Sequence, residues 1–182
     1  MKHTLRQKYK QLRADLTQQQ VEDKSIKIAE QLIEHFTLTH KNISIFLPIK
    51  KFNEVNTWHL IKKVQANFYL PVVTQHHLKH IKYENQSQLK CSSWGIEEPT
   101  YGEEISAHKF DVVIVPLLAY DVKGNRVGYG AGFYDGFLKD CHPNCKFIGV
   151  SFFNPESNVF ETYPTDIPLH YCVTPSKVIT FN

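Results

Sequence analysis

"DVVIVPLLAYDVKGNRVGYGAGFYDGFLKDC", residues 111–141, carries the plan of an α/β unit in one stretch. It opens on a continuous apolar run, the mark of a strand buried on both faces. "KGNR" is a turn, and "FYDGFLKDC" reads as a helix. Between them Gly128, Gly130 and Gly132 alternate, and five of the chain's eight glycines fall within residues 124–138. Such spacing leaves backbone N–H groups unobstructed and allows positive φ. A run of free amides leading into a helix is a ready anion site. Arg126 adds a fixed cation able to grip a phosphate through two hydrogen bonds. Asp135 could hold a divalent cation beside it. Equally, the glycines could be turn residues, and Asp135 a first-turn charge favoured by the helix dipole. The stretch is not G-x-G-x-x-G, because Phe133 stands at the third glycine. It is not a P-loop either, lacking the Lys-Ser or Lys-Thr that ends one.

Outward from this unit, strands alternate with helices. Residues 2–16 predict a helix with Leu5, Tyr9, Leu12 and Leu16 as one apolar stripe. At about 100° per residue, Lys2, Arg6 and Arg13 fall within roughly 40° of one another beside that stripe. They form either a solvated edge or an anion-binding face. Thr17 with Gln20 fits a capping box for a second helix through Val21, Ile28, Ala29, Leu32 and Phe36. Ile43–Leu47 predicts a short strand stopped by Pro48, and Asn56 or Thr57 caps a helix through Leu60, Ile61 and Val64. "FYLPVV", "LKHIKYE", "KFIGVSFF" and "YCVT" are further strand candidates, whereas residues 85–109 are the least patterned part, with Gly95, Pro99 and Gly102 marking a loop. The pattern predicts one three-layer α/β/α domain over residues 1–182 with a mostly parallel central sheet. Ligands of such sheets bind at the carboxyl ends of the strands, where residues 121–134 lie.

Composition narrows the classes. A net charge of +3 permits an anionic ligand but does not argue for nucleic acid. No apolar run is long enough to span a membrane, and the basic N-terminus lacks the apolar segment of a signal peptide. Four cysteines in 182 residues do not make a disulfide framework. "CHPNC" at 141–145 lacks CxxC spacing, so the reading is reduced thiols in a cytoplasmic protein. His3, His59 and His170 have no spacing that singles them out.

The stretch "VPLLAYDVKGNRVGYGAGFYDGFL" resembles the signature of the 5-formyltetrahydrofolate cyclo-ligase family: Asp, Gly-x-Arg-hydrophobic-Gly-x-Gly-x-Gly, then aromatic-Tyr-Asp. "KHTLR", "IFLPIKKFNEVNT", "SWGIEEP" and "YPTDIPLHYCVT" resemble four further family segments in order and spacing. The resemblance implies an ATP- and magnesium-dependent closure of 5-formyltetrahydrofolate to 5,10-methenyltetrahydrofolate, releasing ADP and phosphate. It further implies attack of the formyl oxygen on the γ-phosphate, then capture of the activated carbon by N10.

Carried over position by position, Lys2, His3, Thr4, Leu5 and Arg6 would contact ATP. So would Arg126, Val127, Gly128, Tyr129, Gly130, Ala131, Gly132, Phe133 and Tyr134. Arg126 and Tyr134 would be catalytic. Leu47, Glu54 and Tyr129–Phe133 would contact the folate, with Trp94 lining its pocket. Asp135 and Asp166 would hold Mg2+. An ordinary glutamate at 54, ionised near neutral pH, suits the pterin's N–H donors. Ala131 stands where some relatives have lysine, and Lys50 and Lys51 receive no role. The expected partners are small molecules only, with no nucleic acid, no membrane and a monomeric chain. Two other readings stay open on the residues alone. One is a non-catalytic nucleotide- or RNA-binding module. The other is a sugar-phosphate isomerase-like enzyme on a similar fold.

Overall fold

The first helix, α1 (Lys2–Ala14), gives way to α2 (Gln18–His35) through the anticipated capping box. Thr17 Oγ1 accepts the Gln20 amide at 3.1 Å, and the Gln20 side chain accepts the Thr17 amide at 2.9 Å. The structure, a computed structural model, describes residues 1–75, 77–92 and 95–181. The remaining elements follow in order. They are β1 (Asn42–Ser44), α3 (Trp58–Lys63), β2 (Asn67–Val73), β3 (Leu78–Lys82), β4 (Leu89–Cys91) and β5 (Glu97–Pro99). Then come β6 (Val112–Val115), β7 (Ala119–Tyr120), β8 (Arg126–Val127), α4 (Phe133–Lys139), β9 (Lys146–Val150), β10 (Tyr171–Val173) and β11 (Val178–Thr180).

Seven strands form the central sheet in the order β11-β10-β9-β6-β1-β2-β3. The pairs β10–β9, β9–β6, β6–β1 and β1–β2 are parallel, and β2–β3 and β10–β11 add antiparallel edges. Alternate side chains feed two cores, as the period of two in a strand requires. Val112 and Ile114 of β6 face the α2 and α3 side, whereas Val113 and Val115 face the α4 side with Phe137 and Leu138. Both faces are therefore covered, and the mostly parallel three-layer expectation holds. Side chains such as Ile114, fully removed from water, contribute about 1.5–3 kcal/mol each.

Three expectations need correction. The apolar run "DVVIVPLLAYD" is two strands, because Pro116 has no N–H to donate and ends β6 at Val115. Residues 85–109 are not all loop, since β4 and β5 pair as an antiparallel hairpin. Leu12 is 36% exposed, while Tyr9 and Arg13 are each at 4%. The buried face of α1 is thus rotated toward its cations, and Tyr9 packs with Leu118, Ala119, Val127 and Phe160 over the β7–β8 hairpin.

Chain order within the sheet positions the site. From β1 the path runs outward to β2 on one side and resumes at β6 on the other. The topological switch therefore lies between β1 and β6, and the crevice beyond their carboxyl ends is where such sheets bind ligands. Phe46 and Leu47 leave β1, and Pro116 leaves β6, into one cavity.

Candidate active site

That cavity has a volume of about 820 Å³, at the large end of the range of about 300–1,000 Å³ for small-molecule sites. One wall is the glycine loop, Gly128 to Gly132; another is the segment after β1 with Leu47 and Glu54; a third is Tyr163–Ile167. Among the described residues, the amides of Gly128, Tyr129, Gly130, Ala131 and Gly132 donate no backbone hydrogen bond. Gly130 (φ 110°) and Gly132 (φ 74°) have positive φ, which a side chain would resist. The loop thus shows bare donors to the cavity, as an anion would require.

Three cations border this loop. Arg6 donates from Nε to the Gly128 carbonyl at 2.9 Å, and its guanidinium lies 3.4 Å from where a Cβ on Gly130 would stand. Lys2 Nζ is 2.6 Å from Asp166 Oδ2. Arg126 donates from Nη2 to Asp135 Oδ1 at 2.7 Å and from Nη1 to the Ile167 carbonyl. The Arg126 guanidinium thus reaches the cavity already engaged with Asp135 and the Tyr163–Ile167 segment.

Asp135 and Asp166 both reach the cavity. Each uses a single oxygen for its protein partners: Asp135 Oδ1 takes Arg126 and the Ile167 amide, and Asp166 Oδ2 takes Lys2 and the Tyr163 amide. Burial pushes the Asp166 carboxyl up, but the Lys2 and Tyr163 hydrogen bonds and the charges of Lys2 and Arg126 outweigh it, leaving it below the usual range. Among the described residues no group of three or more metal-ligating side chains occurs. Magnesium does not need one, since it is commonly held by one or two carboxylates together with substrate phosphates. Two carboxylates, each with an oxygen to spare beside bare amides, fit that donor set.

The opposite wall is organised by a buried network. Tyr129 O–H donates to Glu54 Oε1 at 2.5 Å, the Ile49 amide donates to Glu54 Oε2 at 2.8 Å, and Arg13 Nη1 donates to the Tyr129 oxygen at 3.0 Å. Glu54 is 5% exposed and is not the ordinary glutamate anticipated. Burial pushes its carboxyl above the usual range, against the pull of Tyr129, the Ile49 amide and Arg13. Tyr134 lines the same cavity with its phenol raised by burial and by the Glu54 charge, against the pull of Arg126, hence a neutral donor.

The cavity therefore gathers Lys2, Arg6, Leu47, Glu54, the whole run Arg126–Asp135, and Asp166. It does not gather His3 or Thr4, which are exposed on the far side of α1, nor Leu5, which packs against the β7–β8 core. At 100° per residue, only positions 2 and 6 of that pentapeptide share the face turned to the loop. Trp94 lies outside the described residues. Sequence reasoning missed Arg13 as an organiser of the site, and also Lys139, Tyr163 and Glu97 on the cavity wall. Helical spacing placed Arg13 with Lys2 and Arg6 on one stripe, but carried no signal that its side chain is buried.

Comparison with known proteins agrees with this geometry. Residues 1–160 match the 5-formyltetrahydrofolate cyclo-ligase family. The chain is 34% identical to the 5-formyltetrahydrofolate cyclo-ligase of Haemophilus influenzae, over 91% of this chain and 92% of that protein. It is 30% identical to the Escherichia coli K12 enzyme of the same name, over 93% and 97%. Its fold superposes on the 5,10-methenyltetrahydrofolate synthetase of Aquifex aeolicus with a TM-score of 0.84 at 26% identity, covering 100% of this chain and 93% of the other. A cavity at the sheet's switch point, walled by the glycine signature and by Glu54, thus comes with relatives that match the chain nearly end to end: the chain belongs to the 5-formyltetrahydrofolate cyclo-ligase family.

Proposed function

We propose that this enzyme converts 5-formyltetrahydrofolate to 5,10-methenyltetrahydrofolate, cleaving ATP to ADP and phosphate, and that the whole chain acts as one such unit. One observation carries the reading: the unpartnered amides of the glycine loop, with Arg6 and Lys2 beside them, share a cavity with Leu47 and Glu54. A triphosphate along the loop and a folate against the opposite wall would bring formyl oxygen and γ-phosphorus together, which is most of what phosphoryl transfer asks of a protein.

The proposed bond changes balance without an outside oxidant. The formyl oxygen attacks the γ-phosphorus and ADP leaves. N10 then attacks the activated carbon, losing its proton. The C–O bond breaks last, and phosphate departs with the former formyl oxygen. The loop amides and Arg6 would hold negative charge on the phosphates. Glu54, as an acceptor, would orient the pterin, and Tyr134 would donate toward the reacting oxygens. Asp135 and Asp166 would hold magnesium, which when bound supplies charge neutralisation on the phosphates. Arg126 would keep Asp135 in place for that task. Among the described residues no helix is long and apolar enough to cross a membrane, and all four cysteines are free. A cytoplasmic setting suits such thiols.

The test is turnover. Purified protein with magnesium, ATP and 5-formyltetrahydrofolate should give the methenyl product, followed by its absorbance, with one phosphate released per product. Absence of ATP-dependent product at any practical enzyme concentration would overturn the proposal.

A further inference from the structure

Arg13 is a buried cation for which the chemistry above has no task. Its side chain is 5% exposed, yet a guanidinium stays charged and can only donate. Nη2 donates to the Leu117 carbonyl, and Nη1 to the Tyr129 hydroxyl at 3.0 Å. The Tyr129 oxygen must therefore accept from Arg13, which leaves its one proton to point elsewhere. Glu54 Oε1 stands 2.5 Å away to receive it. Arg13 itself is 3.9 Å from the same carboxylate oxygen. The network joins α1, the glycine loop and the segment after β1, so it links the two halves of the cavity.

We propose that Arg13 is a positioning residue for the folate half of the site: its guanidinium fixes the Tyr129 hydroxyl as a donor to Glu54 and so keeps the Glu54 carboxylate an acceptor facing the ligand. The role assigned to Glu54 rests on the cyclo-ligase reading; the arrangement of the three side chains does not. The groups that face Glu54 are Arg13 from α1, Tyr129 from the loop, Tyr134 from α4 and the Ile49 amide from its own segment. Of these, Arg13 is the only full positive charge. Burial raises the carboxyl, and the hydrogen bonds from Tyr129 and the Ile49 amide and the charge of Arg13 pull it back. A protonated Glu54 would present an O–H where the pterin's N–H groups need an acceptor. Loss of Arg13 should thus weaken 5-formyltetrahydrofolate binding more than ATP binding.

The experiment follows the Glu54 carboxyl by 13C NMR in protein labelled at glutamate, without substrate, alongside the pH profile of KM for 5-formyltetrahydrofolate. In Arg13→Gln the Glu54 midpoint should rise, since a cation that lowers it is removed. The acidic limb of folate binding should move with it, and KM for ATP should change less than KM for 5-formyltetrahydrofolate. Arg13→Lys should restore only part, since a lysine lacks the fork that reaches both Tyr129 and Leu117. Tyr129→Phe, which removes one hydroxyl, serves if Arg13→Gln does not fold, and should also raise the midpoint. An unmoved Glu54 midpoint in the folded variant, or KM for both substrates rising together, would overturn the proposal. Failure of the unmodified protein to turn over would sink the cyclo-ligase reading alone, because the carboxyl titration needs no substrate.

Discussion

Arg126 and Asp135 are closed on each other: Nη2 stands 2.7 Å from Oδ1, and the same oxygen accepts the Ile167 amide at 3.0 Å. Nη1 meets the Ile167 carbonyl as well. One ion pair thus ties the first turn of α4 to the segment that carries Asp166. The cation of the signature acts on its carboxylate, and the carboxylate on the site.

Asp135→Asn keeps the shape of the side chain and removes its charge. Turnover is expected to fall by about 10²–10³-fold, the usual loss for one electrostatic contact aimed at a transition state. The Arg126 side chain, 7% exposed, loses its counter-charge, so a modest drop in Tm accompanies this. Steady-state kinetics with a melting curve checks it. Kinetics near those of the unmodified enzyme would remove Asp135 from the site.

Gly130→Ala addresses the loop. At φ 110° an alanine is strained by about 1–3 kcal/mol. The new methyl would stand 3.4 Å from the Arg6 guanidinium, an ordinary contact, so the effect comes from the strained backbone that presents the amides. Because the loop is exposed, the strain is relieved by local rearrangement more than by unfolding. ATP binding is expected to weaken by about tenfold or more, read by calorimetry, with KM for 5-formyltetrahydrofolate changed less.

How far the residues alone reach is plain in this same region. Alternating apolar side chains and the glycine spacing are local signals, and they located the parallel sheet and the loop beyond it. The two-residue strands β7 and β8 have no period to detect, and β11 is three residues at the chain's end. The Arg13–Tyr129–Glu54 network joins positions far apart in sequence, and helical spacing alone could not tell a buried cation from a solvated one. A family segment such as Lys2–Arg6 is contiguous in sequence, but the 3.6-residue turn separates it onto different faces, leaving His3 and Thr4 exposed. The Arg126–Asp135 contact spans the glycine loop, whose path has no period from which such a pair could be read.

Asp121 shows what the signature's other aspartate is for. It is 0% exposed and accepts four hydrogen bonds: the Lys123 and Asn125 amides on Oδ1, the Asn125 side chain and the Phe160 amide on Oδ2. These close the turn between β7 and β8, which delivers the chain to Gly128. Asp121→Ala strands the buried Phe160 amide at about 1–3 kcal/mol and leaves three part-buried donors without their acceptor. A loss of about 3 kcal/mol or more is expected, roughly 6–12 °C in Tm at this chain length. Urea unfolding measures it, and a Tm unchanged by Asp121→Ala would show that the turn closes without it.

His80 gives the fold a pH dependence of definite sign. It is 2% exposed, hydrogen-bonded to Ser44 Oγ through Nε2 at 2.9 Å and stacked on Phe137 at 4.1 Å. Burial pushes its pKa down to about 3, against roughly 6.5 for the unfolded chain. Above the unfolded value neither state carries the proton, and the stability contribution is complete. Between the two values only the unfolded chain binds it, so stability falls as pH falls, by up to about 1.4 kcal/mol per pH unit. His170, also lowered by burial, acts in the same direction. His80→Gln can keep a hydrogen bond to Ser44 and cannot titrate. Its stability should therefore decline less steeply than the parent's when urea midpoints are compared from pH 7 to pH 4. Parallel slopes would mean that the folded protein accepts the proton at His80 after all, and that Ser44 and the aromatic rings around it leave room for the charge.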